Sequence, residues 1–229
     1  MASSLFIQKM FDDISFKYDL LNDLLSFFTH RLWKKRLVSF VMENAPSSVL
    51  DCATGTGDIA FMLKKKNISH VEGIDFSGQM IKLAQEKSKK INLEVDFSTA
   101  DIMSLPHKDR SFECVTIAFG IRNVEFLERG LSEISRVSSQ SVAILEFGQP
   151  QSKIVSFFYF NILRLYMPLL GALTKRKDAY EYLIDSSMAF PSGEKFIKIA
   201  MKNGQFSQGR FLPLFGGIAY IYLLSKDEV

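Results

Sequence analysis

Asp51, Asp75 and Asp101 are the residues whose type and spacing point most directly to chemistry, because each stands where an apolar or extended run gives way to a turn. Asp51 lies four residues before Gly55 in Leu50-Asp51-Cys52-Ala53-Thr54-Gly55-Thr56-Gly57-Asp58. Val49 and Leu50 end an apolar run, and Ile59, Ala60, Phe61, Met62 and Leu63 open a helix. A strand, a glycine turn and a helix in that order bring backbone close to a ligand and aim N–H groups at it. Gly55-Thr56-Gly57-Asp58-Ile59-Ala60 fits the loose fingerprint G-x-G-x-x-G/A, a weak signal on its own. The Gly-Lys-Ser/Thr ending of a P-loop is missing, which argues against a nucleoside triphosphate. An anionic Asp51 suits a cationic amine and would repel a pyrophosphate.

Asp75 ends Val71-Glu72-Gly73-Ile74-Asp75, 18 residues after Gly57 (75 − 57), the distance of one helix plus one strand. A carboxylate at the tip of a second strand can accept both hydroxyls of a ribose. Asp101 follows the extended segment Leu93–Ala100 and could accept from an adenine amino group, with Ile102 covering the ring. Taken singly, each aspartate could be a helix N-cap. Taken as an ordered set, three carboxylates at successive strand ends match the amine, ribose and adenine of S-adenosyl-L-methionine, whereas a dinucleotide needs only one. The residues expected to contact the donor are Asp51, Gly55, Thr56, Gly57, Asp75, Phe76, Asp101, Ile102 and Ala118.

The elements that must position these residues follow from patterning. Residues from about Phe6 to Met42 read as helical, and strands are predicted at Ser47–Cys52, Val71–Asp75, Leu93–Ser98, Phe112–Phe119 and Ser141–Phe147. Helices fall between them at Ile59–Lys65, Gln79–Lys89 and Leu127–Val137, the last with Leu131 and Ile134 on its inner face. Alternating strands and helices imply a parallel sheet covered on both faces. Glu194–Met201 reads as a helix, and Gln208–Leu212 with Ile218–Leu224 as a final antiparallel, hairpin-like edge. Residues Ile154–Leu173 break the rhythm: they are long enough to span a bilayer. Arg164 near the middle would cost roughly 2.5–3.5 kcal/mol to insert, and Asn161 and Pro168 add to that. The segment reads as an aromatic-rich helical insertion, either an ordinary core helix or a lid over a greasy substrate that touches a membrane surface.

At 229 residues the chain fits one α/β domain, and 47% hydrophobic residues with 21 Phe supply its core. We expect an amino-terminal helical cap over 1–45, a cofactor-binding core over 46–150, a helical lid over 151–190 and a carboxy-terminal helix and strands over 191–229. A net charge of +3 is too small to imply nucleic acid. Cys52 and Cys114 fall in predicted buried strands and read as core residues of a reducing compartment. His30, His70 and His107 have no metal-ligand spacing, so no metal is expected. The start of the chain lacks the pattern of a signal peptide.

Several stretches narrow the family. Tyr18-Asp19-Leu20-Leu21-Asn22 followed by Ser26 and His30-Arg31-Leu32-Trp33-Lys34 resembles the amino-terminal signature of the ubiquinone/menaquinone biosynthesis C-methyltransferases. Phe119-Gly120-Ile121-Arg122-Asn123-Val124, Arg136-Val137 with Leu145-Glu146-Phe147, and Tyr180-x-Tyr182-Leu183 with Ser186 and Phe190-Pro191 are similar to further stretches of that family. The turn Ser138-Ser139-Gln140-Ser141 departs from its usual lysine-proline-glycine-glycine, on the side away from the cofactor. His107 is a peripheral departure, and Asn203-Gly204-Gln205-Phe206 inserts one residue and blurs the last strands.

The resemblance implies a Rossmann-like class I methyltransferase fold with a seven-stranded, mostly parallel sheet. It also implies methylation of a ring carbon on a prenylated naphthoquinol or benzoquinol, demethylmenaquinol foremost. A cytoplasmic enzyme, peripheral at the inner face of the membrane, would fit such a substrate, and a homodimer is left open. An O-methyltransferase of another hydrophobic phenol and a non-catalytic binding partner are the competing readings. Arg122 could stabilise a phenolate or act through water, though guanidinium is a poor direct base. The alternative use of Arg122 is an ion pair with Glu125 or Glu128. Asn123 could orient a quinol oxygen, His30 could serve as base or sit as a core histidine, and Tyr18 could hydrogen-bond quinol or cofactor.

Overall fold

Val49, Leu50, Val115, Ile117, Val142 and Ile144 form near-continuous apolar runs, and such strands are stable only with both faces covered. The computed structural model describes residues 12, 29–152, 157, 161, 182 and 185–227. Within them seven strands form one sheet: β1 (Ser48–Cys52), β2 (His70–Asp75), β3 (Asp96–Thr99), β4 (Phe112–Ala118), β5 (Ser138–Phe147), β6 (Gln208–Leu214) and β7 (Ala219–Ser225). Their order is β3-β2-β1-β4-β5-β7-β6. The first five run parallel, and β7 enters antiparallel between β5 and β6. The final pair is thus the expected antiparallel hairpin, but only β6 is an edge.

Helices α1 (Thr29–Met42), α2 (Asp58–Lys64) and α3 (Gly78–Ile91) cover one face of the sheet. Their Leu37, Val38, Ile59, Phe61 and Ile81 join Val49, Val71 and Phe97 in one core. Helices α4 (Leu127–Val137) and α5 (Glu194–Asn203) cover the other, where Leu131, Ile134, Phe196 and Ala200 meet Leu50, Ile117, Ile144 and Tyr222. Each such side chain, fully buried, contributes about 1.5–3 kcal/mol. The expected α/β sheet with helices on both faces is present, as are the inward faces of Leu131 and Ile134.

Two strand starts differ from expectation by three residues, each for a hydrogen-bonding reason. The third strand starts at Asp96 rather than Leu93. Asn92 ends α3 in the left-handed region (φ +51°), and Leu93 is held by Ser88, whose carbonyl accepts its N–H (3.1 Å) and whose hydroxyl donates to its carbonyl (2.6 Å). The supposed turn at Ser138–Ser141 is strand. Ser138 pairs with Phe112 across a bulge in the β4 ladder, and Ser141 pairs with both Cys114 and Ser225.

Strand order reverses between β1 and β4, which opens a crevice at the carboxyl ends of these strands. No helix among the described residues is long and apolar enough to cross a membrane. Most of the Ile154–Leu173 insertion lies outside the described residues, as do Phe158–Phe160. Phe157 is exposed, and Asn161 Nδ2 donates to its carbonyl at 2.8 Å.

Candidate active site

The glycine turn is shaped by backbone that departs from the usual regions. Gly55 (φ +57°) and Gly57 (φ +87°) occupy the left-handed region. A Cβ on Gly57 would sit 2.8 Å from both the Phe61 and the Phe97 rings, so only glycine fits there. Ala53 (φ +51°) and Phe119 (φ +59°) are also left-handed, at the ends of the two strands that flank the crevice. Strain of this kind in non-glycine residues is a mark of functional sites. Gly120 lets the second strand end approach the first, because a Cβ there would lie 2.3 Å from Ala53 Cβ.

Asp51 forms the floor of a narrow cleft also lined by Lys34, Ala53, Thr54, Gly55, Thr56, Asp58, Ile59, Ala118 and Phe119. It is only 1% exposed and accepts from Thr54 Oγ1 (2.6 Å) and Thr116 Oγ1 (2.8 Å). Burial pushes its carboxyl up to about 6, although the two hydroxyls and the Lys34 ammonium pull the other way. Each oxygen spends one lone pair on a threonine and keeps acceptor capacity for a ligand cation.

Asp75, at the tip of β2, splints the turn. Its Oδ2 accepts the Gly55 N–H (2.8 Å) and its Oδ1 the Ser77 N–H (2.9 Å). Burial raises its carboxyl above the ordinary aspartate value against these two N–H groups. Ser77 in turn caps α3 through Met80 N–H (3.1 Å) and hydrogen-bonds Asp12. Asp101 lies two residues beyond β3 and accepts the Met103 N–H at 2.8 Å, closing a turn rather than capping a helix. Ile102 is packed into the core under α4, where its Cγ2 would lie 3.4 Å from a Cβ on Gly130. Thr56 is buried in the glycine turn, and Phe76 is half-buried beside Asp75.

A second, wider cavity of about 400 Å³ opens at the tip of β4. Ile121–Glu125, Leu127, Tyr182, Asp185, Ser186 and Ala189–Pro191 line it, so its wall is largely apolar with a few polar groups. Asn123 Oδ1 accepts from Tyr182 Oη at 3.1 Å. Burial raises the Tyr182 hydroxyl, which keeps it a donor.

Arg122 takes neither expected carboxylate. Its Nη1 donates to Glu146 Oε1 (2.5 Å) and the Phe119 carbonyl (2.8 Å), and its backbone N–H donates to Glu146 Oε2 (3.2 Å). The side chains are 3% and 0% exposed, and the guanidinium lies 5.4 Å from the centre of the Phe147 ring. Glu125 and Glu128 are set aside because β5 delivers Glu146 directly beside the β4 tip. His30 is buried in the first turn of α1 and lines neither cleft. Tyr18 lies outside the described residues. Trp33 packs on Phe119, Phe147 and Phe215, with ring centres 5.8–6.4 Å apart.

Patterning missed Glu146, Thr116, Lys34 and Asp58 as parts of this site. A glutamate in Val-Ala-Ile-Leu-Glu-Phe and a threonine in an otherwise apolar central strand were the available signals, since buried polar groups must be partnered.

Residues 2–226 match the ubiE/COQ5 methyltransferase family. The chain belongs to that family. It is 40% identical over 220 residues to the ubiquinone/menaquinone biosynthesis C-methyltransferase UbiE of Bdellovibrio bacteriovorus, covering 94% of each chain. It is 40% identical over 218 residues to the demethylmenaquinone methyltransferase of Thermus thermophilus, covering 93% of this chain and 98% of that one. In fold it is similar to a magnesium protoporphyrin IX methyltransferase from Synechocystis solved with S-adenosylmethionine (TM-score 0.67, 14% identity, 99% and 98% covered). A possible histamine N-methyltransferase from Thermotoga maritima is equally similar (TM-score 0.67, 18% identity, 96% and 99% covered). The chain is an S-adenosylmethionine-dependent methyltransferase. The residues present fit that family's cofactor: a buried carboxylate with spare acceptor capacity at Asp51, a second at the β2 tip, and a left-handed glycine turn between them.

Proposed function

We propose that this enzyme methylates a ring carbon of a polyprenylated quinol, with demethylmenaquinol as its principal acceptor. The observation that carries this reading is the 400 Å³ cavity at the β4 tip, apolar but edged by Asn123 and Tyr182, next to the Asp51 cleft. A flat apolar ring bearing two hydroxyls needs such a wall with a few placed polar groups. Family membership along nearly the whole chain supports the same acceptor class.

In this reading Asp51 holds the donor's amine, Asp75 its ribose, and Asp101 with Ile102 its adenine end. The donor supplies an electrophilic methyl group on a sulfonium. A quinol hydroxyl gives up its proton, the adjacent ring carbon forms the new C–C bond as the S–CH₃ bond breaks, and the ring proton then leaves. Asn123, fixed by Tyr182, orients a quinol oxygen, which sets the ring carbon in line. Arg122 is locked on Glu146 and shapes the cavity rather than acting as base. Glu125 and Asp185 are the carboxylates on the cavity wall, and a carboxylate can accept the proton.

The test is a competition between reduced demethylmenaquinone and the corresponding benzoquinol, read by product mass. A preference for the naphthoquinol supports the assignment, and exclusive methylation of the benzoquinol would reverse it.

A further inference from the structure

The cleft beside the glycine turn holds more charge than Asp51 explains. Asp58, in the first turn of α2, receives two ammonium groups: Lys34 Nζ from α1 at 2.9 Å and Lys87 Nζ from α3 at 2.6 Å. Burial opposes ionisation of Asp58, but the two lysines outweigh it and hold its carboxyl well below the usual range. Asp58 thus shares its charge between two cations, and the second carboxylate that feels Lys34 is Asp51. Lys34 is the lysine that lines the cleft, with its side chain 9% exposed, and its charge acts on Asp51. Lys87 lies against the Phe61 ring, 5.9 Å from its centre, and is not part of the cleft wall.

One cleft therefore presents the Lys34 ammonium, held by Asp58, together with the Asp51 carboxylate. The amino-acid end of S-adenosylmethionine carries the complementary pair on a single carbon. We propose that Lys34 is the counter-cation of the donor's carboxylate, while Asp51 takes its amine. This rests on the assignment of the cleft to the donor. An ammonium has three N–H groups, so Lys34 can keep its bond to Asp58 and still donate to a second carboxylate. Asp58 then holds the lysine in place, and α1 becomes part of the donor's seat.

The test is calorimetric affinity for S-adenosylhomocysteine and for its decarboxylated counterpart, which keeps the amine. The parent should bind the carboxylate-bearing ligand roughly ten-fold or more tightly, as expected for a charge-assisted hydrogen bond. In Lys34→Met that preference should fall to near one, while Lys34→Arg should keep most of it. Lys87→Met should lower the melting temperature and leave the preference intact. Because the preference is a ratio, partial unfolding of a variant cancels. Equal binding of both ligands by the parent would overturn the proposal without any variant. An undiminished preference in Lys34→Met would overturn it too, leaving Lys34 a structural partner of Asp58. If the parent bound neither ligand, the donor assignment itself would fail.

Discussion

Asp51 shows what a buried carboxylate costs the fold. Burial holds its carboxyl at about 6 against an ordinary 3.8, so the folded chain favours the protonated form. That stabilisation is complete below about pH 4 and is lost as pH rises through about 6. Above that window the ionised group costs up to about 3 kcal/mol. Asp51→Asn should therefore melt higher than the parent at neutral pH, with the difference shrinking as pH falls toward 4. A difference independent of pH would contradict the assignment. The same titration should appear in binding: affinity for S-adenosylhomocysteine should weaken below about pH 6, as the carboxylate proposed to take the amine gains a proton. Asp51, Asp75 and the glycines were legible because residue type and spacing announce them. Arg122 was legible as a motif residue but not by partner, because Glu146 is 24 residues away and only sheet order brings them together.

At the scale of elements, the β4 tip is held by β5 on one side and by the segment after the insertion on the other. Removing either half of the buried Arg122–Glu146 pair leaves an uncompensated charge, typically about 3–5 kcal/mol. Glu146→Ala and Arg122→Ala should each show that loss in chemical denaturation, and the double variant should lose less than their sum. Strict additivity would mean the pair is not coupled. Tyr182→Phe removes one hydrogen bond, worth about 0.5–1.5 kcal/mol. It should raise KM for the quinol several-fold and leave donor affinity unchanged; an equal loss of donor affinity would place Tyr182 elsewhere. In the glycine turn, Gly57→Ala forces a Cβ onto Phe61 and Phe97 at φ +87° and should destabilise by about 1–3 kcal/mol. Its failure to lower the melting temperature would show that the turn can relax. Periodicity placed α3, α4, β4 and the final hairpin well. It lost the start of β3, where Ser88 captures Leu93, and the start of β5, where three serines and a glutamine read as a turn but find ladder partners.

For the whole molecule, sequence was enough to give the parallel sheet and the face-covering helices, since apolar strands must be covered on both sides. The placement of β7 between β5 and β6 was not legible, because it depends on long-range pairing that local pattern does not carry. The reversal of strand order between β1 and β4 sets the Asp51 cleft and the cavity at the β4 tip at the same end of the sheet, and the proposed methyl transfer depends on that placement. Its direct measurement is transfer from S-adenosylmethionine carrying a trideuterated methyl group to reduced demethylmenaquinone, with the product read by mass and by NMR. One trideuteromethyl group is expected on a ring carbon, with the ring proton lost and both oxygens unmodified. A label found on oxygen, or no labelled quinol at all in the presence of bound donor, would contradict it.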